Sequence, residues 1–155
     1  MITIAHWFNA ANLFVLPFWT LMILLPNWSW SRRILSSFLP FVGLALLYVG
    51  LLLVSLTPES VQAMSNPQLA EIAHFFSEES AAATGWVHFL VMDLFIGRWI
   101  YWEGQRTGMW TIHSLVLCLF AGPLGLLSHI LTAAVWERFF SQSSLEVPSP
   151  PVETA

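Results

Sequence analysis

Gly85-Trp-Val-His-Phe-Leu-Val-Met-Asp-Leu-Phe-Ile-Gly-Arg98 is an apolar run that nonetheless carries His88, Asp93 and Arg98. As a helix, residues 81–102 rise about 1.5 Å each and cover roughly 30 Å, the thickness of a bilayer's hydrocarbon core. Asp93 then lies near mid-bilayer. An ionised carboxylate there costs on the order of 3 kcal/mol on insertion scales, so it is normally neutralised, paired or turned into the bundle. The stretch predicts a membrane-spanning helix with an intramembrane polar site.

Composition points the same way. Of 155 residues, 57% are hydrophobic and only 9% charged, with a mean hydropathy of +0.70. That apolar share is far above a soluble domain's. The net charge of -4, the absence of lysine and the lack of a basic patch argue against a nucleic-acid partner. The single cysteine, Cys118, excludes an internal disulfide and a Cys-rich metal or iron–sulfur site. No positively charged segment precedes the first apolar run, which is also too long for a signal peptide, so it is expected to be retained.

Four apolar stretches are long enough to span: residues 4–25, 34–56, 81–102 and 111–136. They predict an all-α, polytopic membrane protein, a four-transmembrane-helix bundle over residues 1–140. Residues 141–155, rich in Ser, Pro and Glu, read as a disordered tail. Four crossings put both termini on one side. The turns at 26–33 and 103–108 share a compartment and, with Arg98, hold four of the five arginines, which marks that side as cytosolic or its organellar equivalent. The opposite side receives the 57–80 loop, with Glu59, Glu71, Glu78 and Glu79 and no Lys or Arg. Tryptophans fit an interfacial belt: Trp28, Trp30, Trp99, Trp102 and Trp110 at the inner ends, Trp7, Trp86 and Trp136 at the outer. Pro17, Pro40 and Pro123 are candidate kinks. Around Pro123, the Gly122-Pro-Leu-Gly125 stretch would let a helix or a flat ligand approach the backbone.

If the third and fourth helices are antiparallel about residue 107, His88 and His129 share a depth and face one another across small-residue stripes. His6, Asn9 and Asn12 recur at three-residue spacing near the same outer end, where Glu78 and Glu79 start the third helix. Together these predict a polar pocket in the outer half. Each member also has a plainer reading: Asn9, Asn12 and His129 as interhelical hydrogen-bonding groups, His6 and His74 as interfacial residues, and Arg98 as a snorkelling side chain. Asp93 and His88 are costlier to bury without a partner. Five residues apart, they sit about 140° apart on a helix and would serve different walls.

Several stretches resemble, in order, the "abscisic acid deficient four" family, known in plants and algae as neoxanthin-synthase-type membrane proteins and present in cyanobacteria. They are Leu16-Pro-Phe-Trp-Thr-Leu-Met-Ile23, Trp28-Ser-Trp-Ser-Arg-Arg33, Thr57-Pro58, Phe76-Ser-Glu-Glu79, Trp86-Val-His-Phe-Leu-Val-Met-Asp-Leu-Phe95, and His113-Ser-Leu-Val-Leu-Cys118 through Gly125 and His129. The resemblance covers residues 14–132. It implies a role in xanthophyll metabolism: isomerising a 5,6-epoxide end ring to the allenic end group of neoxanthin. That change is redox-neutral and needs an acid at the epoxide oxygen and a base at a polyene carbon, with no cofactor and no metal. Asp93 is then the expected acid and His88 or His129 the expected base, with Glu79 beside them. Trp86, Asn9, Asn12, Gly122 and Gly125 are the expected substrate-binding residues. The implied partners are a carotenoid substrate and the lipid bilayer, with room for a homo-oligomer or a photosynthetic-membrane protein. The plant proteins carry a transit peptide that this chain lacks, which implies a bacterial or cyanobacterial-like member in the thylakoid or plasma membrane of a photosynthetic bacterium, where the substrate need not be the plant one. Two other readings use the same residues: a carotenoid- or chlorophyll-binding assembly subunit, and a b-type haem protein with His88 and His129 as axial ligands.

Overall fold

The computed structural model describes residues 3–140, and the expected tail at 141–155 lies outside the described residues. Every regular element among them is a helix. Helix α1, Ile4–Ile23, starts at Thr3, whose hydroxyl lies 2.6 Å from His6 Nδ1. It runs unbroken through Pro17. Helices α2, Ser29–Ser36, and α3, Leu39–Ser55, are separated by a 43° bend with Pro40 in the first turn of α3, where its missing N–H costs nothing. Two short helices follow, α4 (Pro58–Ser65) and α5 (Leu69–Phe75). The long helix α6 covers Glu79–Thr107 and stops at Gly108, whose φ of 72° only glycine adopts cheaply.

Pair contacts fix the directions. Asn12 meets Trp86, Trp19 lies on Gly97, and Pro26 accepts from Tyr101, so α1 and α6 are parallel. Ser55 meets Thr84, Tyr48 meets His88, Phe41 meets Phe95, and Leu35 accepts from Arg98, so α3 is antiparallel to α6. The core lies between them, from Val15, Trp19 and Met22 to Leu44, Leu51, Val87 and Leu94. A Cβ on Gly97 would come within 2.7 Å of the Trp19 ring, which explains both that glycine and the burial of Trp19. Helix α6 is long and apolar enough to cross a bilayer, and α2 with α3 forms a second such unit if the bend is taken as one span.

The fourth apolar stretch departs from expectation. It is not one helix over 111–136 but two, α7 (Ile112–Phe120) and α8 (Gly122–Phe140), folded back on each other. His113 Nε2 lies 2.8 Å from Thr132 Oγ1 and Ser114 Oγ 3.0 Å from Ser128 Oγ, contacts that a straight helix cannot make. A Cβ on Gly125 would lie 2.6 Å from the Cys118 backbone nitrogen, so the two backbones touch there. Pro123 does not kink a helix; it occupies the first turn of α8, where φ near −65° helps initiation.

This hairpin corrects three placements. The start of α1 and the end of α8 lie at opposite ends of the molecule, not together. Trp136 belongs to the arginine-bearing end, not the outer one. Arg138 joins it there, since Glu137 acts electrostatically on Arg106. All five arginines therefore lie toward one end, opposite Glu59, Glu71, Glu78 and Glu79.

Candidate functional site

The long helix carries Asp93 to the tip of the hairpin. The Gly122 amide donates to its carboxylate, and Cys118 Sγ–H donates to its backbone oxygen at 3.4 Å. A Cβ on Gly122 would overlap the carboxyl group, with its Cγ 2.7 Å away. Asp93 thus occupies the N-terminus of α8, where unpaired amides and the helix dipole favour an anion. His88 interacts with it electrostatically despite the angular separation expected of residues five apart. His88 itself is exposed, its ring 5.6 Å from that of Tyr48.

The other expected site residues scatter. His129 does not face His88. It is 1% exposed and packs edge-on against Trp99, ring centroids 4.8 Å apart, because the hairpin carries it back toward the arginine end. Trp99 lies 11 residues beyond His88, about 16 Å along α6. An axial pair of haem ligands at one depth is therefore not formed. Gly122 and Gly125 leave no room for a ligand, since Asp93 and the Cys118 backbone fill the spaces they open. Trp86 Nε1 donates to Asn12 Oδ1 at 2.9 Å and Asn12 Nδ2 to Phe8 O at 2.8 Å, a tie between α1 and α6. Asn9 and Glu79 are exposed. Arg98 neither pairs with Asp93 nor reaches outward. It donates to Leu35 O at 2.6 Å and Ser36 O at 3.3 Å and lies 4.3 Å from the Phe38 ring centroid, bracing the α2–α3 bend.

A cavity of about 660 Å³ opens at the acidic end, under the two short helices. Its walls include Ser55, Thr57, Glu59, Gln62, Glu71, His74, Glu78 and Ser80, most of them outside the site expected from sequence. The roof is built locally. Thr57 and Ser60 form a reciprocal capping box, Thr57 N to Ser60 Oγ at 2.8 Å and Ser60 N to Thr57 Oγ1 at 3.2 Å, with Pro58 in the first turn. Ser60 Oγ also reaches Ser55 O at 3.2 Å, joining α4 to the end of α3. On the other side Phe76 lies over Gly85, where a Cβ would meet the ring at 2.6 Å. Its own backbone amide and the Thr57 hydroxyl hold the Glu59 carboxyl below its ordinary range. The readable signal was Thr57-Pro-Glu-Ser60, a helix start within what otherwise reads as a loop.

A second cavity of about 610 Å³ is an apolar groove between α1 and α3, lined by Ile4, Trp7, Gly43, Leu46, Leu47, Gly50, Leu51 and Val54. Val54 also lines the polar cavity. Among the described residues, no three His, Cys, Asp or Glu side chains are grouped to hold a metal ion.

Fold and site together define a helical protein in which a carboxylate on a long apolar helix pins the tip of a helical hairpin, with a polar cavity at the acidic end. The chain belongs to the ABA DEFICIENT 4-like family, which residues 6–129 match. It is 40% identical over 126 residues to "Protein ABA DEFICIENT 4, chloroplastic" of Arabidopsis thaliana, an alignment covering 78% of this chain and 57% of that one. The chain thus spans little more than half the length of this relative. No solved structure matches.

Proposed function

We propose that the chain acts in carotenoid metabolism within a photosynthetic membrane, isomerising the epoxidised end ring of a xanthophyll in the cavity at its acidic end. The observation that carries this reading is the cavity: space for a ring, proton-exchanging side chains in its walls, and an apolar groove that shares Val54 with it. Family membership supplies the substrate class. In the proposed step His74 gives a proton to the epoxide oxygen as the ring C–O bond breaks. A carboxylate of Glu71 or Glu78 takes a proton from the adjacent polyene carbon as the new double bond forms. One proton enters and one leaves, so no electron carrier is involved. The polar end is also where an oxygenated ring costs least, since burying a hydroxyl or ether oxygen in hydrocarbon without partners costs several kcal/mol, about 2–7 by reference state.

In this reading α1, the α2–α3 unit and α6 are three crossings, and α7–α8 is a hairpin that enters and leaves from the arginine side. Gathering all five arginines there strengthens the positive-inside argument relative to four full crossings. A second reading keeps the chemistry at Asp93 and His88, favoured by the electrostatic interaction between the half-buried carboxyl and the exposed imidazole. Reconstituting the full chain with an epoxy-xanthophyll tests the activity. The expected result is a product of unchanged mass with altered absorption and retention. Recovery of unaltered pigment overturns the isomerase and leaves a binding protein.

A further inference from the structure

The polar cavity and the apolar groove share Val54, and the groove's floor is Gly43 and Gly50, where an added Cβ would meet nothing within 4 Å. We propose that the two form one continuous site that takes a rod-shaped neutral amphiphile ring-first, its oxygenated ring in the polar cavity and its polyene in the groove, with Val54 at the threshold. This rests on the carotenoid reading above and adds to it the binding mode and the selectivity.

Three observations select this occupant. From Gly43 to Val54 the groove follows 11 residues of α3, about 17 Å, so it holds a straight chain over roughly half of a bilayer's hydrocarbon thickness. Its walls carry no charged side chain. The cavity at its end carries Glu59, Glu71 and Glu78 against the single basic side chain His74, with no Lys or Arg, a field that repels a phosphate head group and leaves hydroxyl and ether oxygens as the polar groups it can accept. A phospholipid satisfies the groove and fails the cavity. An unoxygenated carotene satisfies the groove and leaves the cavity's polar groups without new partners. The site therefore discriminates by the ring, while the groove supplies most of the contact area.

Trp7 lies in the groove wall, and the readout is the quenching of the chain's tryptophan emission by energy transfer to a bound polyene. The full chain in detergent is titrated with a dihydroxy xanthophyll, with the matching hydrocarbon carotene and with a short-chain phosphatidylglycerol. The expected result is quenching at a concentration at least tenfold lower for the xanthophyll than for the carotene, unaffected by the phospholipid. Gly50→Phe, and separately Gly43→Phe, project into open space and leave melting unchanged while weakening both pigments at least tenfold. Ala70→Phe, which fills the polar cavity, lowers xanthophyll affinity to the carotene level. Equal binding of the two pigments by the wild type, competition by the phospholipid, or full affinity in both groove variants overturns the proposal. Selective binding without conversion sinks the isomerase reading and keeps this site; conversion without ring selectivity does the reverse.

Discussion

Replacing Gly122 by alanine drives a methyl group into the Asp93 carboxyl, whose Cγ lies 2.7 Å from where the new Cβ must stand. The neighbour is not the far end of a flexible chain but a short side chain on the middle of α6, so either the hairpin tip or Asp93 has to move. Overpacking of this kind costs about 1–3 kcal/mol. Moving Asp93 also gives up its charge-assisted bond from the Gly122 amide, worth about 1.5–3 kcal/mol. The total is about 3–5 kcal/mol, and at roughly 2–4 °C per kcal/mol the melting temperature falls by about 10 °C. Asp93→Ala alone loses the bond and opens the space, so Gly122→Ala should cost little in that background. The thermal-melting cycle therefore shows a coupling of about 3–5 kcal/mol, nearly the whole cost of Gly122→Ala in the wild type. Additivity within about 0.5 kcal/mol would refute the pinned hairpin. Asp93→Asn, which still offers an oxygen to the amide, should melt close to wild type.

Cysteines at 114 and 128, with Cys118 replaced, should form a disulfide or short crosslink, whereas a straight helix would hold them about 21 Å apart and prevent it; cysteines at 88 and 129 should not crosslink. Arg98→Met should lower melting by about 2–3 kcal/mol through the lost Leu35 and Ser36 bonds, and Asp93→Asn should not rescue it; rescue would restore an Asp93–Arg98 pair. Reporter fusions after 65 should lie opposite those after 106 and after 140, and agreement between 65 and 140 would mean four crossings. Because Glu59 titrates below an ordinary glutamate, its contribution to holding α4 is present above the unfolded value and lost as pH falls through the folded one. Thr57→Val should move its NMR-detected titration upward, and no movement would remove the hydroxyl as a cause.

Hydropathy located α1 and α6 well because a long apolar run admits few foldings, and the bend between α2 and α3 cost the prediction only its continuity. It failed at residues 111–136 because both arms of a tight hairpin are as apolar as one helix. The sign was Gly122-Pro123, read as a kink within one helix when it starts a new one. What decides between them is Asp93 meeting the Gly122 amide across 29 positions, which no local pattern carries. The His88–His129 pairing fell with that error, since it assumed an uninterrupted fourth helix. The acidic-end cavity is half legible in the sequence: its carboxylates stand out as loop charges, but only the Thr57–Ser60 cap and the Phe76–Gly85 contact turn that loop into walls.

Conversion of an epoxy-xanthophyll by the reconstituted full chain, compared between His74→Ala and Asp93→Asn at matched melting temperature, tests the central claim most directly. With the chemistry in the acidic-end cavity and Asp93 serving as the hairpin's pin, His74→Ala loses product by at least tenfold while Asp93→Asn stays near wild type. Product lost in Asp93→Asn and kept in His74→Ala would contradict the account and return the chemistry to the middle of α6.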